Sequence, residues 1–92
     1  MTTEVRRREQ DYAITVDDRH AGRALFQLRD DAVVLTHTEV DPAFEGQGVG
    51  SALAKGALDD VRAQGKRVVP LCPFIARYIE NHPEYADLVA AA

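Results

Sequence analysis

The segment from Val33 to Gly65 constrains the fold most, because it reads as a strand, a glycine loop and a helix in succession. Glycines alternate at Gly46, Gly48 and Gly50, and helical periodicity follows from Ser51 to Gln64. Glycine keeps side-chain bulk away from the backbone amides, while the free N–H groups and the positive dipole end of the helix point into the same space. The spacing therefore predicts a cradle for a phosphate or diphosphate group.

Two common phosphate-binding loops do not fit this spacing. A P-loop requires Lys-Ser/Thr directly after its last glycine, whereas Gly50 is followed by Ser51-Ala52. A dinucleotide fingerprint requires Gly-x-Gly-x-x-Gly after the first strand, whereas here Gly-x-Gly-x-Gly follows the third strand of a meander. A glycine turn without a ligand is the simpler alternative. The proline-punctuated loop before the glycines and the amphipathic helix after them favour ligand binding.

Length and composition restrict the class of protein. The 92 residues predict one domain over residues 1–92 with one modest core. The net charge of −4 argues against nucleic acid as a partner, so we interpret Arg6-Arg7-Arg8 as a solvated strand or arm. The single cysteine excludes an internal disulfide and fits a reducing compartment. Because no apolar run approaches the roughly 18 residues of a membrane span and the N-terminus lacks a signal-like core, we expect a cytoplasmic protein without a membrane partner.

The segments before the glycine loop predict an antiparallel meander. Apolar residues alternate over Tyr12–Val16 and Ala24–Leu28, which is typical of half-buried strands. The polar segment Asp17–Gly22 between them is predicted to be a turn.

The third strand is predicted to lead into a site. Ala32–Leu35 is apolar on both faces, as in a central strand that is covered on both sides. Beyond it, His37 and Glu39 share one face, and Thr36 and Thr38 share the other. A buried strand that becomes polar just before a glycine loop is typical of a strand that lines a ligand site.

The segments from the loop onward predict a β-α-β crossover. The apolar stripe of its helix consists of Val49, Leu53, Ala57, Leu58 and Val61. Gly65 is placed to end this helix, and Arg67–Leu71 is predicted to be a strand parallel to the third, with a right-handed connection. Gly56 in mid-helix is explained either by a close approach to the sheet or by chance.

Two short helices are predicted to follow. Cys72-Pro73 opens the first. Its apolar stripe is Phe74, Ile75, Tyr78 and Ile79, and the helix that begins at Pro83 is expected to face inward with Tyr85, Leu88 and Val89. The fold class is therefore α/β (α+β): an antiparallel meander leads into a β-α-β unit, and helices pack on a mixed sheet.

The segment Val40–Leu53 resembles motif A of the GCN5-related N-acetyltransferases (GNAT), which is Arg/Gln-x-x-Gly-x-Gly/Ala after a strand and a turn. The register here is Glu45-Gly46-Gln47-Gly48-Val49-Gly50. His37–Val40, Pro70–Pro73 and Tyr78–Tyr85 extend the likeness to small stand-alone GNAT-like proteins of the YjdJ type. The resemblance covers nearly the whole chain.

This resemblance implies a minimal GNAT fold with acetyl-CoA or coenzyme A as cofactor, and an N-acetyltransferase that moves an acetyl group to an unidentified amine. The backbone of Thr38 and Val40 would pair with the pantetheine amides. The loop amides of Gly46, Gln47, Gly48, Val49, Gly50 and Ser51 would hold the diphosphate. Glu45 departs from the motif, because the family has Arg or Gln there and a carboxylate beside a diphosphate is unfavourable unless it points away.

Direct acyl transfer to an amine requires a base for the amine and an acid for the leaving thiolate. Tyr78 resembles the tyrosine that serves as this acid in many relatives, although a tyrosine on an apolar stripe is equally explained by core packing. Glu39 or His37 is placed to act as the base, directly or through water. The alternative for both is a solvated strand end.

Cys72 lies at the start of a helix, a position that favours the thiolate form of cysteine. The resemblance places it near the thioester, where it could attack and form an acyl-cysteine. The alternative is a small buried hydrophobic residue. Cys72, His37 and His82 include no short-range ligand pair, so we expect no metal, and His82 is expected to cap helix carbonyls.

The resemblance also implies that the acceptor half of the site is missing. Family members have helices between their first two strands and further strands after the last helix, whereas here a short turn replaces the former and the sequence ends at Ala92. Three alternatives stay open for what we expect to be a monomer or weak dimer. A large acceptor or partner protein docks on an open face, a dimer completes the site, or the protein is a non-catalytic CoA-binding, acyl-CoA-binding or regulatory module.

Overall fold

Five strands form one mixed sheet in the order in which they occur along the chain. The computed structural model describes residues 1–90. The strands are β1 (Thr3–Arg7), β2 (Asp11–Val16), β3 (Arg19–Arg29), β4 (Ala32–Val40) and β5 (Arg67–Pro70). β1 to β4 pair antiparallel, and β4 pairs with β5 in parallel. The predicted meander and the parallel β-α-β unit are both confirmed, and the Arg6–Arg8 run belongs mostly to β1.

Two α-helices and two 3-10 helices complete the described part of the chain. Helix α1 (Val49–Ala63) connects β4 to β5, and α2 (Pro73–Asn81) follows β5. The 3-10 helices are Pro42–Phe44 and Pro83–Leu88. None of the helices within residues 1–90 is long and apolar enough to cross a membrane.

Glycine sets both ends of α1. Gly48, the N-cap residue, has a left-handed φ of 77°, and Gly65 beyond the other end has a φ of +69°. The amide of Gly65 donates to Arg62 and that of Lys66 donates to Val61, which satisfies the last carbonyls of the helix. The helix therefore begins two residues before the predicted start and has the predicted glycine stop.

The apolar stripe of α1 is buried as predicted. Its five residues are each at most 1% exposed: Val49, Leu53, Ala57, Leu58 and Val61. They share one core with alternate residues of the sheet, such as Ile14 and Leu35, and with Ile75 of α2. Full burial of a Leu or Val side chain contributes about 1.5–3 kcal/mol, so this stripe fixes α1 on one face of the sheet.

The second helix and the 3-10 helix after it pack beside α1. The hydroxyl of Tyr85 donates to Asp59 at 2.6 Å, and Arg62 pairs with Asp87 at 2.9 Å. These contacts hold the last 3-10 helix against α1.

Gly56 marks a close approach between α1 and the sheet. A Cβ atom at this position would lie 2.6 Å from a Val5 methyl carbon of β1. The mid-helix glycine is therefore explained by packing rather than by chance.

The turn between β2 and β3 is shorter than the predicted segment Asp17–Gly22. Asp17 and Asp18 adopt left-handed φ values of 49° and 67°, so two residues reverse the chain and β3 begins at Arg19. Aspartate tolerates this conformation better than most side chains, and two left-handed residues match the twist of the flanking strands. The predicted return strand Ala24–Leu28 was correspondingly too short.

Three side chains that were predicted to lie on a buried face lie at the surface instead. Phe74 is 44% exposed, Val89 is 37% exposed and Leu28, at the end of the predicted return strand, is 60% exposed. Phe74 is the second residue of α2, so its ring reaches across the start of α1 rather than into the core. Val89 approaches Val68 of β5 through its backbone, as an isolated parallel bridge.

Candidate active site

The end of β4 lies beyond its pairing with β5. The two strands pair only from Ala32 opposite Arg67 to Leu35 opposite Pro70, while β4 continues to Val40. Leu25 of β3 pairs with His37 and its neighbour Phe26 pairs with Leu35, so Thr36 is an extra residue in β4 and forms a β-bulge. A bulge re-aims a strand and ends regular pairing, which separates β4 from β5 here.

The residue before α2 lies beside this open strand end. The amide of Cys72 donates to the carbonyl of Leu35 at 3.0 Å, and its sulfur lies 3.3 Å from the hydroxyl oxygen of Thr38. Cys72 is 5% exposed and belongs to the core. The predicted candidates Thr38 and Cys72 are thus brought into contact.

The glycine loop leaves the start of α1 open. Gly46 and Gly48 have φ values of +78° and +77°, and a Cβ at either position would meet no atom of the described residues within 4 Å apart from its own residue and its two chain neighbours. No side chain within residues 1–90 caps the helix at Gly48. The amides of Val49, Gly50 and Ser51 precede the first helical hydrogen bond, so they are free to bind an anion.

These amides face a cleft of about 250 Å³. Its lining residues are Val40, Phe44, Glu45, Gly46, Gly48, Val49, Gly50, Ser51 and Phe74. The cleft therefore joins Val40 to five of the six predicted diphosphate-binding residues. Gln47 is the exception, and its side-chain amide donates to the carbonyl of Ala43 at 3.5 Å.

A larger cleft of about 420 Å³ lies over β1 and β2, between charged side chains such as Glu4 and Arg6. It contains no helix start, so its size alone does not indicate an anion site. We therefore place the candidate site at the glycine loop.

Phe74 forms one wall of the glycine-loop cleft. A Cβ atom at Gly50 would lie 2.8 Å from the tip of the Phe74 ring. Glycine at position 50 therefore lets the tip of the ring approach the start of α1 this closely. Phe44 forms another wall and is 9% exposed. The sequence prediction missed both phenylalanines, although Phe44 directly precedes the glycine motif.

Glu39 and His37 lie on the opposite face of β4 from Thr38. Arg23 donates to Glu39 at 2.8 Å, and His37 lies 3.5 Å from the same carboxylate. The hydrogen bond from Arg23 lowers the pKa of Glu39 below its ordinary value. The carboxylate is therefore held in its charged form, and proton uptake from an amine would have to compete with Arg23. The sequence prediction missed Arg23, because the register that pairs it with Glu39 is not encoded locally.

Tyr78 is buried among residues of α1, α2 and the last 3-10 helix. Its ring stacks on His82 at 3.9 Å between centroids, and His82 contacts the Tyr78 carbonyl through Nδ1 at 2.8 Å. This contact agrees with the predicted carbonyl cap. Burial raises the pKa of Tyr78, and the charged side chains that act on it are Lys55, Glu84 and Asp59.

The structure brings Thr38 to Cys72 and joins Val40 to the glycine loop, whereas the contacts of Tyr78 and Glu39 run to other partners. The catalytic roles of Cys72, Tyr78 and Glu39 stay predictions. Within residues 1–90, no three His, Cys, Asp or Glu side chains lie close enough together to hold a metal ion.

Solved structures share this fold. The NMR solution structure of a GCN5-like protein from Staphylococcus aureus matches with a TM-score of 0.72 at 23% identity, covering 97% of this chain and 89% of that one. The ribosomal-protein-S18-alanine N-acetyltransferase from Escherichia coli matches with a TM-score of 0.59 at 26% identity, covering 67% of this chain and 42% of that one.

Curated relatives are similar over a shorter stretch. Protein NATD1 from Xenopus tropicalis is 39% identical over 51 residues, which are 55% of this chain and 47% of that protein. Protein NATD1 from Homo sapiens is also 39% identical over 51 residues, which are 45% of its length. The match thus spans about half the length of these relatives.

A family model covers most of the chain. The model for GCN5-related N-acetyl-transferase matches residues 11–88, a range that contains the open end of β4, the glycine loop and both α-helices. The finer likeness to proteins of the YjdJ type stays a prediction. The fold, the glycine loop at the start of α1 and this match together show that the chain belongs to the GCN5-related N-acetyltransferase family.

Proposed function

We propose that this protein binds acetyl-CoA in the cleft at the start of α1 and transfers the acetyl group to an amine. The observation that carries the proposal is that Val49, Gly50 and Ser51, whose amides are free, line the same cleft as Val40, where β4 is no longer paired with β5. A diphosphate suits the helix start, because its charge meets N–H groups and the positive dipole end. An extended chain of amides suits the open edge of β4 between Thr38 and Val40.

Cys72 is our candidate for the first chemical step. Its sulfur would attack the thioester carbonyl, so that a bond from sulfur to the acyl carbon forms and the bond to the CoA sulfur breaks. CoA would leave as the thiol with the proton that Cys72 gives up. The amine would then take the acetyl group and regenerate the free cysteine. In the alternative route, the amine attacks acetyl-CoA directly and Tyr78 supplies the proton to the leaving thiolate.

A non-catalytic CoA-binding module is the second candidate function. It is favoured by the partners of the proposed acid and base, because Tyr78 stacks on His82 while Glu39 pairs with Arg23. In that case the acetyl-CoA site would serve to sequester the cofactor or to regulate a partner protein.

Calorimetric titration of the reduced protein with acetyl-CoA tests the binding step. Gly48→Asp places a carboxylate at the loop, where it would repel the diphosphate. Gly65→Asp is a matched control, because Gly65 ends the same helix, has a similar left-handed φ of +69° and is equally open. We expect micromolar binding by the wild type, loss of binding in Gly48→Asp and retention in Gly65→Asp.

Failure of the wild type to bind acetyl-CoA would overturn the proposed function. Equal loss in both variants would show that backbone strain, rather than charge at the loop, is responsible. An assay of the wild type against a panel of amines and peptides then separates the two candidates. Release of CoA supports the acetyltransferase, and tight binding without release supports the module.

A further inference from the structure

We propose that Arg19 supplies the positive charge that holds a phosphate group of the cofactor at this cleft. This inference rests on the proposed function and names a binding residue outside the glycine motif.

The cleft needs a cation that its own lining does not provide. Its nine lining residues include the carboxylate of Glu45 and no lysine or arginine. The chain as a whole carries a net charge of −4. Both charges oppose the approach of an anionic cofactor, so the helix start alone would have to overcome them.

Arg19 is the guanidinium that lies against a wall of the cleft. Its Cζ atom lies 5.4 Å from the centroid of the Phe44 ring, and Phe44 lines the cleft. This distance is that of a cation–π contact. The two-residue turn fixes the position, because left-handed Asp17 and Asp18 make Arg19 the first residue of β3.

Arg19 is also available for a ligand. Within residues 1–90 its guanidinium has no carboxylate within 4.0 Å, in contrast to five other arginines, namely Arg6, Arg7, Arg8, Arg23 and Arg62. The neighbouring carboxylate of Asp17 accepts the Thr2 amide at 2.8 Å instead.

A guanidinium in this position suits a phosphate well. It is planar, stays charged at every working pH and can donate two parallel hydrogen bonds to phosphate oxygens. It is also weakly hydrated, so little is lost when it moves from water to a ligand. The Debye length is about 8 Å at physiological salt, so the charge of Arg19 is felt at the cleft before direct contact.

Arg19→Gln tests this inference, because glutamine keeps a polar side chain beside Phe44 but carries no charge. Arg29→Gln is the matched control, since Arg29 is the last residue of the same strand, is exposed and likewise has no carboxylate within 4.0 Å among the described residues. By titration calorimetry with acetyl-CoA, we expect the dissociation constant to rise about tenfold in Arg19→Gln and to be unchanged in Arg29→Gln. The affinity of the wild type should also fall more steeply with added salt than that of Arg19→Gln.

A second ligand identifies which phosphate is held. Acetyl-dephospho-CoA keeps the diphosphate and lacks the 3′-phosphate. An equal loss with both ligands assigns Arg19 to the diphosphate, and a loss confined to acetyl-CoA assigns it to the 3′-phosphate. Arg19→Lys should recover part of the affinity in either case, because the charge is retained.

Equal affinities of Arg19→Gln and Arg29→Gln for both ligands would overturn the role of Arg19 while leaving the proposed function intact. No binding by the wild type would instead overturn the proposed function. Melting temperatures of the two variants, measured in parallel, show whether any loss of affinity reflects loss of folding.

Discussion

The hydroxyl oxygen of Thr38 lies 3.3 Å from the sulfur of Cys72, across the gap that opens where β4 and β5 stop pairing. This contact joins the polar end of β4 to the residue that starts α2. A threonine hydroxyl can donate to a sulfur as well as accept from it, so Thr38 is placed to stabilise a thiolate at Cys72. No other side chain within residues 1–90 contacts this sulfur by a hydrogen bond.

The first prediction concerns this pair. If Cys72 is the nucleophile, the wild type incubated with acetyl-CoA gains the mass of one acetyl group and Cys72→Ala gains none. Thr38→Val keeps the shape of the side chain without the hydroxyl, so acetylation should slow about tenfold. Intact-protein mass spectrometry over a time course measures both effects.

Calorimetry with acetyl-CoA is the control for these variants, since a variant that no longer binds the cofactor says nothing about the nucleophile. Transfer to an amine that continues unchanged in Cys72→Ala would contradict nucleophilic catalysis and leave the direct route through Tyr78. A Tyr78→Phe variant would then be the one expected to lose activity.

The second prediction concerns the wall of the cleft. Gly50→Ala adds a methyl group 2.8 Å from the tip of the Phe74 ring. Because that ring is 44% exposed, it can swing away at little cost, and alanine is also the better helix former. We expect the free energy of unfolding to change by less than about 1 kcal/mol while the affinity for acetyl-CoA falls.

Urea unfolding and titration calorimetry measure the two quantities separately. Phe74→Ala should weaken binding similarly without adding bulk, which tests whether the wall itself matters. Unchanged affinity in both variants would show that the ring takes no part in the site.

The third prediction concerns the contact of α1 with β1. Gly56→Ala places a methyl group 2.6 Å from Val5, too close for any real Cβ, so the edge strand β1 must shift. Overpacking of this kind costs about 1–3 kcal/mol, which exceeds the gain of about 1 kcal/mol in helix propensity. Chemical denaturation should therefore show a net loss of stability.

A double-mutant cycle checks the cause of that loss. Val5→Ala removes the methyl carbons that lie 2.6 and 2.9 Å from a Cβ at position 56 but keeps the Cβ of residue 5 at 2.7 Å. The double variant should therefore recover part of the stability lost in Gly56→Ala. Strictly additive losses would mean that the methyl groups of Val5 are not the obstacle.

The fourth prediction concerns acid stability. Asp11 is 6% exposed, and Arg8 donates to both of its oxygens at 2.6 and 2.8 Å. These hydrogen bonds lower the pKa of Asp11, with smaller contributions from Arg23 and His20. A carboxyl group with a depressed folded pKa stabilises the protein above its unfolded pKa of about 4, and this stability is lost as the pH falls through the folded value.

We therefore expect Asp11→Asn to lower the free energy of unfolding by about 1–2 kcal/mol at pH 7. The difference from the wild type should shrink as the pH falls below about 4, because the wild-type carboxyl group then becomes neutral as well. Denaturation curves at pH 7, 5 and 3 measure it. A difference that stays constant over this range would show that shape, not charge, matters at Asp11.

The strand, glycine loop and helix around Gly48 could be predicted because each depends on local signals. Alternating glycines, apolar residues at helical spacing and a glycine stop at Gly65 act within a few residues of one another. The order of strand, loop and helix therefore followed from the sequence, whereas the contact of α1 with the sheet at Gly56 was only one of two explanations and the bulge at Thr36 was missed.

The rest depends on contacts between distant segments. The sequence pattern of α2 indicates which residues lie on one stripe of the helix. It does not indicate which other element packs against the first turn, so the exposure of Phe74 was missed. Tyr78 stacks on His82 just beyond its own helix and is also surrounded by side chains of α1, whose position beside α2 depends on the tertiary fold. The position of Arg19 depends on the left-handed conformations of Asp17 and Asp18, which turned a predicted loop into the start of a strand.

The order of the strands in the sheet has a consequence for how the protein folds. β1 to β4 pair with their neighbours in the chain, so each of these hairpins closes over a short loop. β5 can reach β4 only after the chain has passed through α1, and pairings between distant segments form more slowly than local ones. The candidate site lies at this junction. We therefore expect a chain with its meander already formed to lack the proposed acetyl-CoA site until β5 pairs with β4. Binding of acetyl-CoA would then report the final folding step.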